Sequence, residues 1–231
     1  MVRLRLAVCL GVAAWLGLLN GVANAGYLFG FTGGNPNYLD VTTTTGSLSL
    51  STATNPITPG SLNQGWWTSG NWSNDNFNDN FFVGVSAVQH NNYFTFDISA
   101  LSGQTVTGLV LNIQNPGFNS VSATYSLYDV STDPYALAAK DNAPNAAIFS
   151  DLETGKLYGQ QLIPLVNDPQ YWIPLNAFAI ADLNAAISRG DTYFSIGGTI
   201  PEPSALALSS LGGVVLLGLQ LRRRQRLSRG V

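Results

Sequence analysis

The chain has 231 residues, 45 % of them hydrophobic and 10 % charged, enough length and apolar content for one good core. Its formal charge of −3 conceals an asymmetry: between Gly26 and Ile200 only Lys140, Lys156 and Arg189 offset twelve Asp and Glu, a local charge of −9, which argues against nucleic acid as a partner. The single Cys, Cys9, and the single Met, Met1, both lie close to the N-terminus, so the chain from Gly26 onward has no disulfide, thiolate metal ligand or cysteine nucleophile.

Arg3 and Arg5 precede an apolar stretch from Leu6 to Leu19, and Ala23-Asn24-Ala25 offers small residues for cleavage. Together they read as a secretory signal peptide over residues 1–25, removed by signal peptidase, with the mature chain starting at Gly26. Strand signals then run through most of residues 26–200: Tyr27 to Phe31, Leu48 to Ser51, Phe81 to Val88, Tyr93 to Ile98, Val106 to Ile113, Val121 to Val130 and Tyr193 to Ile196. Turn chemistry such as Asn115-Pro116-Gly117 and Thr132-Asp133-Pro134 separates them. Many short strands joined in this way predict one mainly β domain, an antiparallel β-sandwich.

The segment from Gly65 to Asn80 is the most suggestive for binding. Trp66, Trp67 and Trp72 sit beside a run of Asn and Asp, a combination that can form an aromatic platform with polar groups to grip a sugar. Alternatively, Trp66 or Trp67 fills the core and the Asn/Asp run is a long turn, for which these residues are suited by conformation alone. Neighbours in a strand face opposite sides, so only one of the adjacent pair is expected to point inward, and Trp72 is expected to be exposed. Asp75 and Asp79 form a Ca²⁺ candidate by ligand type, without the Gly and distal Glu of an EF-hand; no other metal or cofactor is expected.

Catalytic groups are sparse. His90 is the sole histidine, which rules out a multi-His zinc site, and His90-Asn91-Asn92 reads as a turn between strands. Gly84-Val85-Ser86-Ala87-Val88 lacks the final Gly of a nucleophile elbow and reads as a strand. Glu153 is the only Glu between Gly26 and Ile200, and no Asp stands in a recognisable acid–base motif, so no enzyme activity is expected. Residues 133–157 are expected to wrap the sandwich as an ordered loop with short strands. One short helix follows: Asn176 caps it, Ile180, Leu183 and Ile187 form its apolar stripe, and Gly190 ends it after Arg189.

The C-terminal end carries the most specific pattern. Pro201-Glu202-Pro203 is followed by an apolar run from Ala205 to Leu221 and then by Arg222, Arg223, Arg224 and Arg226. The run has 17 residues, about 25 Å of helix, slightly short of a ~30 Å hydrocarbon core. The arginines oppose translocation and act as a membrane stop that leaves residues 26–200 outside. The two prolines favour an extended, exposed segment just beyond the membrane. This order of parts over residues 201–231 resembles the PEP-CTERM sorting tail of Gram-negative bacteria. The resemblance implies recognition of Pro201, Glu202 and Pro203 by an exosortase that removes the anchor, and an address at the cell surface or in the extracellular matrix. A second resemblance rests on Asn92 to Ser99 followed by Val106 to Ile113, which look like the paired strands of jelly-roll domains that often precede such tails. Some relatives of that architecture bind carbohydrate. The combined expectation is an exported surface or matrix protein, structural or adhesive, with non-catalytic binding of exopolysaccharide; the alternative is a secreted polysaccharide-active hydrolase.

Overall fold

A computed structural model of the chain describes residues 27–30, 35–53, 60–68, 79–85, 88–114, 122–139, 144–164 and 170–201. The expected signal peptide, Glu202, Pro203, the 205–221 segment, the arginines that follow it, Trp72 and Asp75 lie outside them. Among the described residues no helix is long and apolar enough to cross a membrane.

The described residues form eleven strands: β1 (Tyr27–Phe29), β2 (Tyr38–Thr43), β3 (Ser47–Ser51), β4 (Gln64–Thr68), β5 (Val83–Val85), β6 (Gln89–Asp97), β7 (Val106–Gln114), β8 (Ala123–Asp129), β9 (Leu157–Ile163), β10 (Gln170–Pro174) and β11 (Tyr193–Thr199). The helices are α1 (Pro134–Ala138), α2 (Ala146–Asp151) and α3 (Ala177–Arg189), with a 3₁₀ turn at Ser99–Leu101. All pairings are antiparallel. A seven-stranded sheet runs β1-β5-β6-β11-β8-β9 with β4 also paired to β6, and a four-stranded sheet runs β10-β7-β2-β3. The chain is therefore mainly β, as its alternating patterns predict.

Both sheets feed one core. Phe94, Phe96, Tyr125, Leu127 and Ile196 come from the larger sheet, and Leu39, Val41, Leu111, Ile113, Tyr171 and Ile173 from the smaller. Alternation explains the smaller sheet: in β10, Tyr171 and Ile173 are buried while Trp172 and Pro174 are exposed. A buried polar clamp joins the sheets at one end. Gln64 Oε1 on β4 accepts from Asn37 Nδ2 and Thr52 Oγ1, both at 2.7 Å, while Gln64 Nε2 donates to the carbonyls of Asn35 and Asp79. Every polar atom of the Gln64 side chain is thus partnered, which removes the penalty for burying an amide.

The larger sheet is covered on its second face as well. Trp67 of β4 and Tyr93 of β6 pack there with Leu137 of α1 and with Ile148 and Leu152 from α2 and its end. Asn91 Nδ2 fastens this layer by donating to the Phe149 carbonyl and to Glu153 Oε2, each at 3.0 Å. Strand β6 consequently has every residue from His90 to Phe96 buried, a pattern that two covered faces require.

Three expectations are corrected here. The fold has three helices among the described residues, not one. Residues 133–157 hold α1 and α2 in place of short strands, because Asp133 and Asn145 accept from the first free backbone N–H groups of each and Pro134 is preset for a first helical turn. Helices of five and six residues are too short to show a 3.6-residue period. His90 lies inside β6 rather than in a turn, beside Trp66 at 4.9 Å between ring centroids. The expected α3 is present with its Asn176 cap and left-handed Gly190 (φ 78°), and its most buried stripe is Ala179, Leu183 and Ala186, with Ile180 and Ile187 packed at its edges. Asn184 pins it to β7 by exchanging hydrogen bonds with the Val106 N–H and C=O.

Candidate functional site

The tryptophan-rich segment does not present a platform over its described part. Trp66 is 6 % exposed and Trp67 2 %. The expectation that only one of the pair points inward fails because β4 has a covered face on each side: Trp66 meets Phe82 and His90, and Trp67 meets the helical layer. Asp79, one of the two Ca²⁺ candidates, accepts from the Leu62 N–H at 2.9 Å. No group of three potential metal-ligating side chains occurs among the described residues. Burial holds the His90 imidazole below its ordinary value, against the Gly84 and Val88 carbonyls that pull it up.

A concavity among the described residues lies elsewhere, where the end of β8, the turn into α1, the start of β9, α3 and the start of β11 meet. It is a cleft of about 510 Å³ whose walls include Tyr135, Lys156, Tyr158, Asp182, Arg189 and Tyr193. Asp133 caps α1 and so places Tyr135 at the rim, 52 % exposed. Tyr135 stands edge-on to Tyr193 with ring centroids 5.9 Å apart. A pair of this kind, with Tyr135 exposed and Tyr193 half-buried, offers C–H-binding ring surface together with two hydroxyls.

Charged groups line the cleft as well. Lys156 Nζ donates to Asp182 Oδ1 at 2.6 Å and Oδ2 at 2.9 Å, and Tyr158 Oη donates to Asp182 Oδ2 at 3.0 Å. Burial raises the Tyr158 phenol well above its ordinary value, and the adjacent Asp182 and Asp129 carboxylates add to the effect. The Tyr158 ring is held in a stack on Phe194, 6.1 Å between centroids. Arg189 donates to Asp191 Oδ2 through Nε and Nη2, at 3.0 and 2.6 Å. Two of the three basic residues between Gly26 and Ile200 therefore meet in one cleft of an acidic domain, each already oriented by a carboxylate.

Two carboxylates brace the cleft wall. Asp151, in the last turn of α2, accepts from the N–H and hydroxyl groups of both Ser131 and Thr132 at 2.6–3.0 Å. Burial by itself would raise the Asp151 carboxyl, but the donors from Thr132 and Ser131 outweigh it and hold it below the usual value. Asp129 accepts from the Lys156 N–H and sets the start of β9. Each bond fixes a backbone segment that carries a cleft residue, so the site is built before any ligand arrives.

None of the cleft residues stands in a sequence motif. The available signal was compositional: Lys156 and Arg189 are rare cations in this domain, and Asp133-Pro134-Tyr135 is a helix start followed at once by an aromatic. Glu153, the one Glu considered for hydrolysis, is engaged by Asn91 from β6. No protein-family model matches the chain, and no curated protein and no solved structure is found to be similar to it.

Proposed function

We propose that this chain is an exported, non-catalytic glycan-binding protein of the bacterial surface or extracellular matrix, and that the cleft between α1, α3 and β11 is its binding site. The observation that carries the reading is the pair Tyr135 and Tyr193 at the mouth of a cleft whose walls hold fixed carboxylates and cations. Sugar rings present apolar C–H faces to aromatics and hydroxyls to charged acceptors and donors, and a pre-positioned set of both suits them. Two antiparallel sheets around one core are consistent with a jelly-roll-like sandwich. The signal peptide over 1–25 and the sorting tail over 201–231 supply the address: export with removal of residues 1–25 by signal peptidase, transient anchoring by 205–221 and release or attachment through an exosortase.

The test is binding of the full chain in detergent micelles to an array of bacterial exopolysaccharides. Tyr135→Ala is expected to weaken binding by about tenfold or more, the loss typical of a central aromatic contact. Its stability is expected to change by less than about 1 kcal/mol, because Tyr135 is exposed. Equal binding by wild type and variant removes the cleft from the proposal, and release of reducing ends from any bound polymer replaces it with a hydrolase.

A further inference from the structure

We infer that the outward face of the four-stranded sheet is a second glycan-binding surface, flat where the first is concave, which takes an extended, uncharged polysaccharide chain. The inference stands on residues that share nothing with the cleft. Strand register places Trp172 of β10 opposite Asn112 of β7, Asn112 opposite Tyr38 of β2, and Tyr38 opposite Ser51 of β3. These four residues form one row that crosses the sheet from edge to edge, since β10 and β3 are its outer strands. All four lie on the side away from the core, because their neighbours Tyr171, Ile173, Leu111, Ile113, Leu39 and Leu50 are the buried ones. Trp172 is 55 % exposed, although burying an indole is among the most favourable uses of one.

The chemistry of the row selects its occupant. Trp172 and Tyr38 are two strands apart, about 10 Å at the usual inter-strand spacing, so they can support separate rings of one chain laid along the row. Asn112 stands between them, with its Oδ1 held by Gln114 Nε2 at 3.3 Å. Along β2 from Tyr38 lies a shallow depression of about 460 Å³ whose lining joins Asp40, Thr42, Ser47 and Ser49 to the apolar Val41, Leu48 and Val110. Ser49 Oγ donates to Asp40 Oδ1 at 2.6 Å, and Asp40 is the one charged residue in β2, β3, β7 and β10. Amides, hydroxyls and aromatic rings without a cation suit a neutral, hydroxyl-rich polymer. An anionic polymer or a phospholipid headgroup would call for Lys or Arg, and these strands contain none. A protein with a cleft on one set of elements and a flat face on another can hold two chains together.

The experiment is co-sedimentation of the full chain, in detergent micelles, with insoluble cellulose, chitin and β-1,3-glucan, and with alginate gel as the anionic control. Wild type is expected to sediment with at least one of the neutral polymers, Trp172→Ala and Tyr38→Ala to bind it at least about tenfold more weakly, and Tyr135→Ala to keep that binding. Thermal unfolding of Trp172→Ala within a few degrees of wild type ensures that the loss is local. The inference is overturned by failure of wild type to bind any of the three neutral polymers, by undiminished binding of Trp172→Ala, or by a preference for alginate. Light scattering that shows a dimer abolished by Trp172→Ala also overturns it, since a second copy of the chain would then be the occupant. Loss of cleft binding in the array with sedimentation intact refutes only the first site.

Discussion

Replacing Trp67 by alanine tests the two-sided burial of the tryptophan segment most directly. Trp67 is 2 % exposed and packs with Tyr93, Leu137, Ile148 and Leu152, so the substitution removes the largest side chain of the layer between β4 and the short helices. Its Nε1 has no hydrogen-bond partner among the described residues, so the loss is one of packing. Deleting a buried large aromatic costs roughly 3–5 kcal/mol, part from transfer and part from the cavity left behind. At about 2–4 °C per kcal/mol for a domain of this size, the melting temperature should fall by roughly 6–20 °C. Urea unfolding followed by far-UV circular dichroism measures the loss without relying on tryptophan emission. Trp67→Phe keeps most of the apolar contact and should cost distinctly less. α1 and α2 carry Tyr135 and the Asp151 brace, so the alanine variant should also bind glycan less well below its unfolding transition. A stability loss under about 1 kcal/mol, the range for surface positions, would refute the interior placement of the indole and restore a ligand-facing reading.

Changing Pro201-Glu202-Pro203 to alanines should leave an uncleaved, membrane-anchored form, whereas the wild-type surface protein should start at Gly26 and lack residues 205–231; intact mass decides, and an unaltered tail on the wild-type protein would make the anchor permanent. Burial keeps the His90 pKa below its ordinary 6.5, so the unfolded chain binds the proton better. Its contribution to stability is therefore whole above pH 6.5 and lost as pH falls from there toward the folded value, at no more than about 1.4 kcal/mol per pH unit. His90→Gln should flatten that part of the stability–pH curve, and an unchanged slope would refute the assignment. A Cβ added at Gly198 would lie 2.1 Å from Tyr125 Oη and 2.3 Å from Asn92 Oδ1, the two atoms of a buried 2.8 Å hydrogen bond. Gly198→Ala should therefore cost roughly 2–5 kcal/mol in chemical denaturation, from overpacking and a broken buried bond together.

What the sequence determined by itself is local. Alternation marked the strands Val106–Gln114 and Ala123–Asp129, since a pleated chain puts successive side chains on opposite faces whatever lies beyond them. Asn176 and Gly190 bounded α3 because capping is a matter of a few neighbouring atoms. Asp133 and Asn145 carry the same signal for α1 and α2, but a cap with no periodic stripe behind it does not distinguish a short helix from a turn. Only the tertiary structure decided which faces are covered. Trp66 and Trp67 alternate as strand neighbours must, and both are buried because a helical layer closes the second side of the larger sheet. Trp172 alternates in the same way and is exposed because nothing among the described residues closes the outer side of the smaller one. The cleft was equally beyond local reading. Tyr135, Lys156, Asp182 and Tyr193 are far apart along the chain and meet only because antiparallel pairing brings the ends of β8, β9 and β11 beside α3, which Asn184 and its small-residue face hold against the core.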